Sequence, residues 1–63
     1  MEIVYVFFNQ DEEIDRINFS DRKFLPDKDD IVIIGKYEGV VSNRHFNHVS
    51  NEIFVNIELI KNI

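Results

Sequence analysis

The residues best equipped for chemistry are crowded into one short stretch. NRHFNH, residues 43–48, holds both histidines of the chain and one of its three arginines, with Phe46 between the histidines. Imidazole can ligate a metal, carry a proton or change charge near neutrality. Guanidinium can grip a carboxylate or phosphate through two parallel hydrogen bonds and can stack on a ring. His45 and His48 are three apart, which unites two side chains on a helix but separates them on a continuous strand. A shared metal would need the chain to turn between them, with Glu52 as the nearest further ligand. Two polar residues at a hairpin end is the plainer reading, and no metal is assigned. Arg44 and Phe46, two apart, share one face of an extended segment, and Tyr37 lies on the same hairpin. An arginine amid aromatic rings has the composition of a binding hot spot. Arg44, His45, Phe46, His48 and Tyr37 therefore form the candidate ligand- or partner-binding set. The competing use of Arg44 is an ion pair with Glu38, Glu52 or Glu58 on a neighbouring strand.

Catalytic patterns are thin. Ser20, Ser42 and Ser50 have no nucleophile-elbow residues around them, and Ser50 near His48 lacks an oriented base and an oxyanion hole. Gly35 and Gly39 stand singly and form no phosphate-cradling loop. The carboxylates at 11–13 and 29–30 have the look of solvated turns. The expectation is a protein that is not an enzyme and holds no cofactor.

Composition narrows the class further. At 63 residues without cysteine, the chain has material for one domain, no disulfide and no thiolate for a structural zinc. A chain of this size buries only about 60% of the surface its unfolded form exposes, and association with further copies is the staple that remains. Twelve acidic residues against seven basic ones give a net charge of −5, which repels a phosphate backbone and argues against nucleic acid as a partner. It suits a protein partner with a basic patch, where charge steers encounter. No apolar run approaches the roughly eighteen residues needed to cross a bilayer, and no leader-like segment opens the chain. The expected location is the cytoplasm of a bacterial host, with no membrane partner. Ten isoleucines, seven asparagines and no alanine, threonine or tryptophan are the usage of an AT-rich genome, bacterial or phage.

The elements that must position the 43–48 stretch are strands. Residues 2–9, EIVYVFFN, are dense in β-branched and aromatic residues; alternation puts Ile3, Tyr5 and Phe7 on one face and Val4, Val6 and Phe8 on the other, so both faces want cover. QDEE at 10–13 is a charged turn, and 14–20 forms a second strand hairpinned to the first, unless a short helical turn starts at Asp11. Residues 21–30 form a loop around Pro26, with Phe24 and Leu25 tucked beneath the sheet. IVII at 31–34 is a buried strand, Gly35-Lys36 a tight turn, and 37–46 a further strand with a bulge or bend at Gly39. NHVSN turns the chain into 52–60, where Ile53, Val55, Ile57 and Leu59 point inward and Phe54 and Ile60 interrupt an otherwise polar outer face. The whole makes a single all-β domain: a small five-stranded antiparallel barrel or strongly bent sheet.

Over residues 25–59 the order of signals is a proline, an acidic turn, a V-x-I strand, a glycine turn, a tyrosine, a V-x-x-R strand and a last alternating strand. This resembles the small SH3-like β-barrels of phage and bacterial proteins. In those barrels a Gly-Asp pair usually precedes the first of these strands, where this chain has Asp29-Asp30. The resemblance implies the barrel fold; members serve as transcription-factor, ribosome-associated and tail modules and as virally encoded inhibitors, so it assigns no single activity.

Large apolar side chains on both faces of the first strand, together with Phe54 and Ile60, exceed what one small core can hide, and an exposed patch of that kind marks an interface. The expected assembly is a homodimer or higher symmetric oligomer through Val4, Val6, Phe8, Phe54 and Ile60. The function these features favour is a small binding protein, a phage-type inhibitor that blocks a host factor of defence or regulation by protein contact. Two other readings stand beside it. One is an oligomeric sponge holding an anionic nucleotide or metabolite at subunit interfaces; the other is a structural or assembly subunit.

Overall fold

Five strands and no helix make up the described part of the chain in a computed structural model, which describes residues 2–19 and 25–62. They are β1 (Glu2–Asn9), β2 (Glu12–Phe19), β3 (Ile31–Ile34), β4 (Tyr37–Asn47) and β5 (Glu52–Asn62). They form one sheet in the order β2-β1-β5-β4-β3, curled into a half-barrel. β1–β2, β3–β4 and β4–β5 pair antiparallel, whereas β1 lies parallel to β5, with Ile3 beside Ile53 and Tyr5 beside Val55. The all-antiparallel expectation is corrected at that one pairing. Its physical basis is that the two strands with most apolar surface sit together in the middle of the sheet, and a strand apolar on both faces is what a parallel, doubly covered position requires.

Each tight turn has a local cause. Gln10 and Asp11 both adopt positive φ, 53° and 66°, the two-residue turn whose twist suits a hairpin. This turn starts β2 at Glu12, two residues before the expected start, and the alternative helical turn at Asp11 does not form. Gly35 at φ 59° opens the β3–β4 turn as the first of its two central residues, where glycine meets no steric penalty. Asp29, which stands where the barrels of similar pattern carry glycine, takes φ 74°. A short polar side chain tolerates that left-handed conformation better than a bulky one does.

The core lies on the concave face. Ile3, Tyr5 and Phe7 of β1, Ile53, Val55 and Ile57 of β5, and Tyr37 and Val41 of β4 are buried there, with Ile17, Leu25, Val32, Ile34 and Leu59 packed around them. Leu25 therefore tucks under the sheet as expected; Phe24 lies outside the described residues. The ring of Phe7 packs against Tyr37 at 4.8 Å, and the Tyr37 hydroxyl donates to Asp15 Oδ2 at 2.9 Å. That bond ties edge strand β2 to β4 across the concave side and holds the curl.

Three bulges set which way side chains face. The β1–β2 register shifts after Phe7, leaving Ile14 as an extra residue on β2; the β4–β5 register shifts at Glu38/Gly39, leaving Ile60 extra on β5, and at Val41/Asn43, leaving Ser42 extra on β4. Gly39 therefore marks a bulge, as its position suggested. A β-carbon there would meet the Ile57 side chain and lie 2.6 Å from the Glu58 carbonyl oxygen, so close approach of β5 requires glycine.

The convex face corrects the expected apolar surplus. Val4 and Val6, anticipated as an exposed interface, are each only 2% exposed within the single chain. They lie between Asn18 and Arg16 of β2 and Phe54 and Asn56 of β5. The Arg16 guanidinium reaches to 5.8 Å from the Phe54 ring centroid, so its side chain passes over β1 and covers the valines with its methylene stem. Phe8 and Phe54 are themselves partly buried. Of the five residues expected to form the interface, Ile60 alone is largely exposed.

Candidate functional site

The Ser42 bulge decides the layout of the 43–48 stretch. Before it, Tyr37, Gly39 and Val41 face the core; after it, Arg44 and Phe46 do, opposite Val55 and Ile53, while Asn43 and His45 turn to the convex face opposite Asn56 and Phe54. The bulge is pinned by the Ser42 hydroxyl donating to the Asn56 carbonyl at 3.1 Å and by Asn56 Nδ2 donating to Asn43 Oδ1 at 2.7 Å.

Arg44 is engaged in holding a loop. Its Nη2 lies 3.0 Å from Asp27 Oδ1, and Nη1 donates to the Pro26 carbonyl at 3.3 Å. The partner is Asp27 and none of the three glutamates considered from sequence. The loop so gripped is further laced by Asp27 N to Asp30 Oδ2 at 2.8 Å, Asp29 N to the Val41 carbonyl at 2.8 Å and Val41 N to the Asp30 carbonyl at 2.9 Å.

The remaining candidates separate. His45 stacks on Phe54, with centroids 5.0 Å apart and planes 11° apart. His48 stacks on Phe46 at 6.3 Å and 20°, so the two imidazoles rest on rings from opposite faces of the sheet. Tyr37 sits at the far end of β4, buried, with its hydroxyl on Asp15. The five residues predicted as one set therefore serve three places: a loop clamp (Arg44), a core strut (Tyr37) and a hairpin end (His45, Phe46, His48).

The hairpin end is the best-defined surface feature of the set. Asn47 Oδ1 accepts from the Val49 amide at 3.0 Å and from the Ser50 amide at 3.2 Å, the arrangement by which an asparagine side chain mimics a backbone turn. Asn51 takes φ 60°, and Ser50 Oγ donates to Glu52 Oε1 at 2.7 Å. The turn's own polar groups thus hold its shape. At its tip Val49 is 98% exposed, and Phe46 just behind it is 52% exposed. Val49 was absent from the candidates read from sequence. The available signal was the Asn47-x-Val49-Ser50 order, since an asparagine two residues ahead of the tip caps exactly such amides only when the chain reverses there.

Away from the tip, toward the other end of β2, lies a charged pair. Glu13 and Arg16 pair on the convex face, with Nε to Oε2 at 2.6 Å and Nη2 to Oε1 at 3.1 Å. The hydrogen bond from Arg16 holds the Glu13 carboxyl below the usual carboxylate range, and the same bond, with a smaller contribution from Glu52, raises Arg16. Tyr37 is raised above the usual phenol value, first by its hydrogen bond to Asp15 and then by desolvation. Among the described residues no three His, Asp or Glu side chains gather as a metal site would need, and no helix is long and apolar enough to cross a membrane. No family model, curated protein or solved structure matches the chain.

Proposed function

We propose that this protein is a non-enzymatic binding module that occupies a partner protein through the β4–β5 hairpin end, with Val49 and Phe46 as apolar anchors. The single observation carrying this reading is the pre-shaped turn: Asn47 holds the Val49 and Ser50 amides while leaving the Val49 side chain almost wholly in water. A backbone turn shaped before contact leaves less entropy to lose on binding, and apolar groups on such turns can anchor interfaces. The net charge of −5 favours a pocket with a basic rim and a fast, salt-dependent association. The AT-rich residue usage and small size fit an inhibitor of viral origin that acts by blocking a host factor. The anion-sponge reading is less favoured, because Asp27 already neutralises Arg44.

The test places a photo-crosslinking residue at Val49 and, as a control, at Lys36 in the turn at the other end of β4. Capture of one predominant protein from Val49 and not from Lys36, competed by the unlabelled chain but not by a Phe46→Ser/Val49→Ser variant, is the expected result. Competition by the double variant as good as by the unaltered chain would refute the assignment.

A further inference from the structure

The sheet has two edges, and they differ in chemistry. β2 carries Glu12, Glu13, Asp15 and Arg16 and an extra residue at Ile14; charge and a bulge are the means by which edges are kept from pairing. β3, IVII, carries neither, and among the described residues it pairs only with β4. Ile31 and Ile33 on its convex side are 65% and 62% exposed.

The backbone phase of β3 is set by its hairpin. A two-residue turn makes Ile34 and Tyr37 a hydrogen-bonded pair, Val32 repeats that phase, and the Asp30 carbonyl accepting from Val41 N at 2.9 Å continues it. The amide and carbonyl groups of Ile31 and Ile33 therefore point to the open edge. A second copy pairing antiparallel about a two-fold axis must set such outward residues opposite one another, which leaves three registers. With Ile31 opposite the partner's Ile33, Lys36 falls opposite the partner's Lys28, a like-charge contact. With Ile31 opposite the partner's Ile31, Lys36 falls opposite the partner's Pro26 and Asp30 opposite the partner's Val32, so neither charge meets its opposite. With Ile33 opposite the partner's Ile33, Lys36 falls opposite the partner's Asp30, twice by symmetry, and Ile31 meets the partner's Gly35.

We infer that β3 is a self-association edge, joining two copies into a ten-stranded sheet with Ile33 opposite its own copy and two Lys36–Asp30 contacts flanking the axis. This inference is independent of the hairpin-end function, which lies at the other end of β4. It also relocates the contact: the earlier expectation ran through β1 and β5, where Val4 and Val6 are covered.

Sedimentation equilibrium from about 1 to about 200 μM, concentrations that bracket micromolar self-association, tests it. The unaltered chain is expected to reach twice its own mass. Ile33→Pro removes an amide that faces away from β4 and spares the β3–β4 bonds, so it is expected to give a monomer with unchanged far-UV circular dichroism. Should that variant fail to fold, Ile33→Lys, which sets two ammonium groups opposite each other on the axis, is expected to give the monomer. Lys36→Asp reads the register: association is expected to weaken about tenfold, the equivalent of roughly 1.4 kcal/mol. In the Ile31–Ile33 register the same change would remove repulsion from Lys28 and strengthen association. A monomer throughout the range, a dimer that persists in folded Ile33→Pro or Ile33→Lys, or a Lys36→Asp variant that associates more tightly would each overturn the inference.

Discussion

The Arg16 guanidinium lies over the Phe54 ring, 5.8 Å from its centroid, and β1 runs between the strands that carry them. Arg16 is thus a cover for apolar surface as much as a charge. Arg16→Ala is expected to bare Val4 and Val6, raise the binding of a hydrophobic dye and lower Tm by roughly 5 °C, a typical response of a domain this small to losing one modest interaction. Arg16→Met keeps the stem and is expected to recover most of that loss. Thermal melts and dye fluorescence on the two variants check it; equal losses would show that the charge, and not the cover, is what matters.

Gly39 and Gly35 make a contrasting pair. Alanine at 39 must push into Ile57 and the Glu58 carbonyl, an overpacking expected to cost about 2–3 kcal/mol. Alanine at 35 has open space but inherits φ 59°, for an expected cost of about 1 kcal/mol. Denaturant unfolding of the two single variants measures the difference.

The pH dependence has two limbs. Glu13 is held below its usual range by the Arg16 hydrogen bond, so its contribution is present above the unfolded-state carboxylate value and is lost as pH falls through the lower folded value. Tyr37 is raised by its bond to Asp15, so its contribution is intact below the ordinary phenol value near 10 and is lost as pH rises beyond it. Tm measured against pH is expected to flatten on the acid side in Arg16→Met and on the alkaline side in Tyr37→Phe.

Arg44 clamps the loop before β3. Arg44→Ala is expected to lower stability by about 1 kcal/mol and to speed hydrogen exchange of the Asp29 and Val41 amides, which bridge that loop to β4, more than that of the β1 amides. Uniform acceleration across the sheet would mean the clamp is not local.

How much of this was legible in the residues depended on the range of the interaction. β3 and the Gly35-Lys36 turn stand where the apolar run and glycine placed them, and β5 shows the expected inward set Ile53, Val55, Ile57 and Leu59, because strand alternation and turn chemistry are local. The expected burial of β3 is corrected, since it lies at a sheet edge with Ile31 and Ile33 exposed. β2 began two residues early, since its turn uses Gln10 and Asp11 at positive φ where asparagine or glycine is the usual signal. The parallel β1–β5 pairing leaves no local mark beyond the two apolar faces of β1. The candidate site was split by the Ser42 bulge and by the reach of Arg44 to Asp27, both of which depend on where distant segments dock. The convex face was misjudged for a similar reason: a long polar side chain from β2 supplied the cover that a count of apolar residues could not include.

A binding role for the β4–β5 hairpin end requires a turn that is ordered before it meets anything. Backbone 15N relaxation of the Val49 and Ser50 amides in the free protein tests this directly. Order parameters of about 0.85, matching the β4 and β5 amides, are expected; values below about 0.6 at both positions, the mark of a flexible loop, would contradict it.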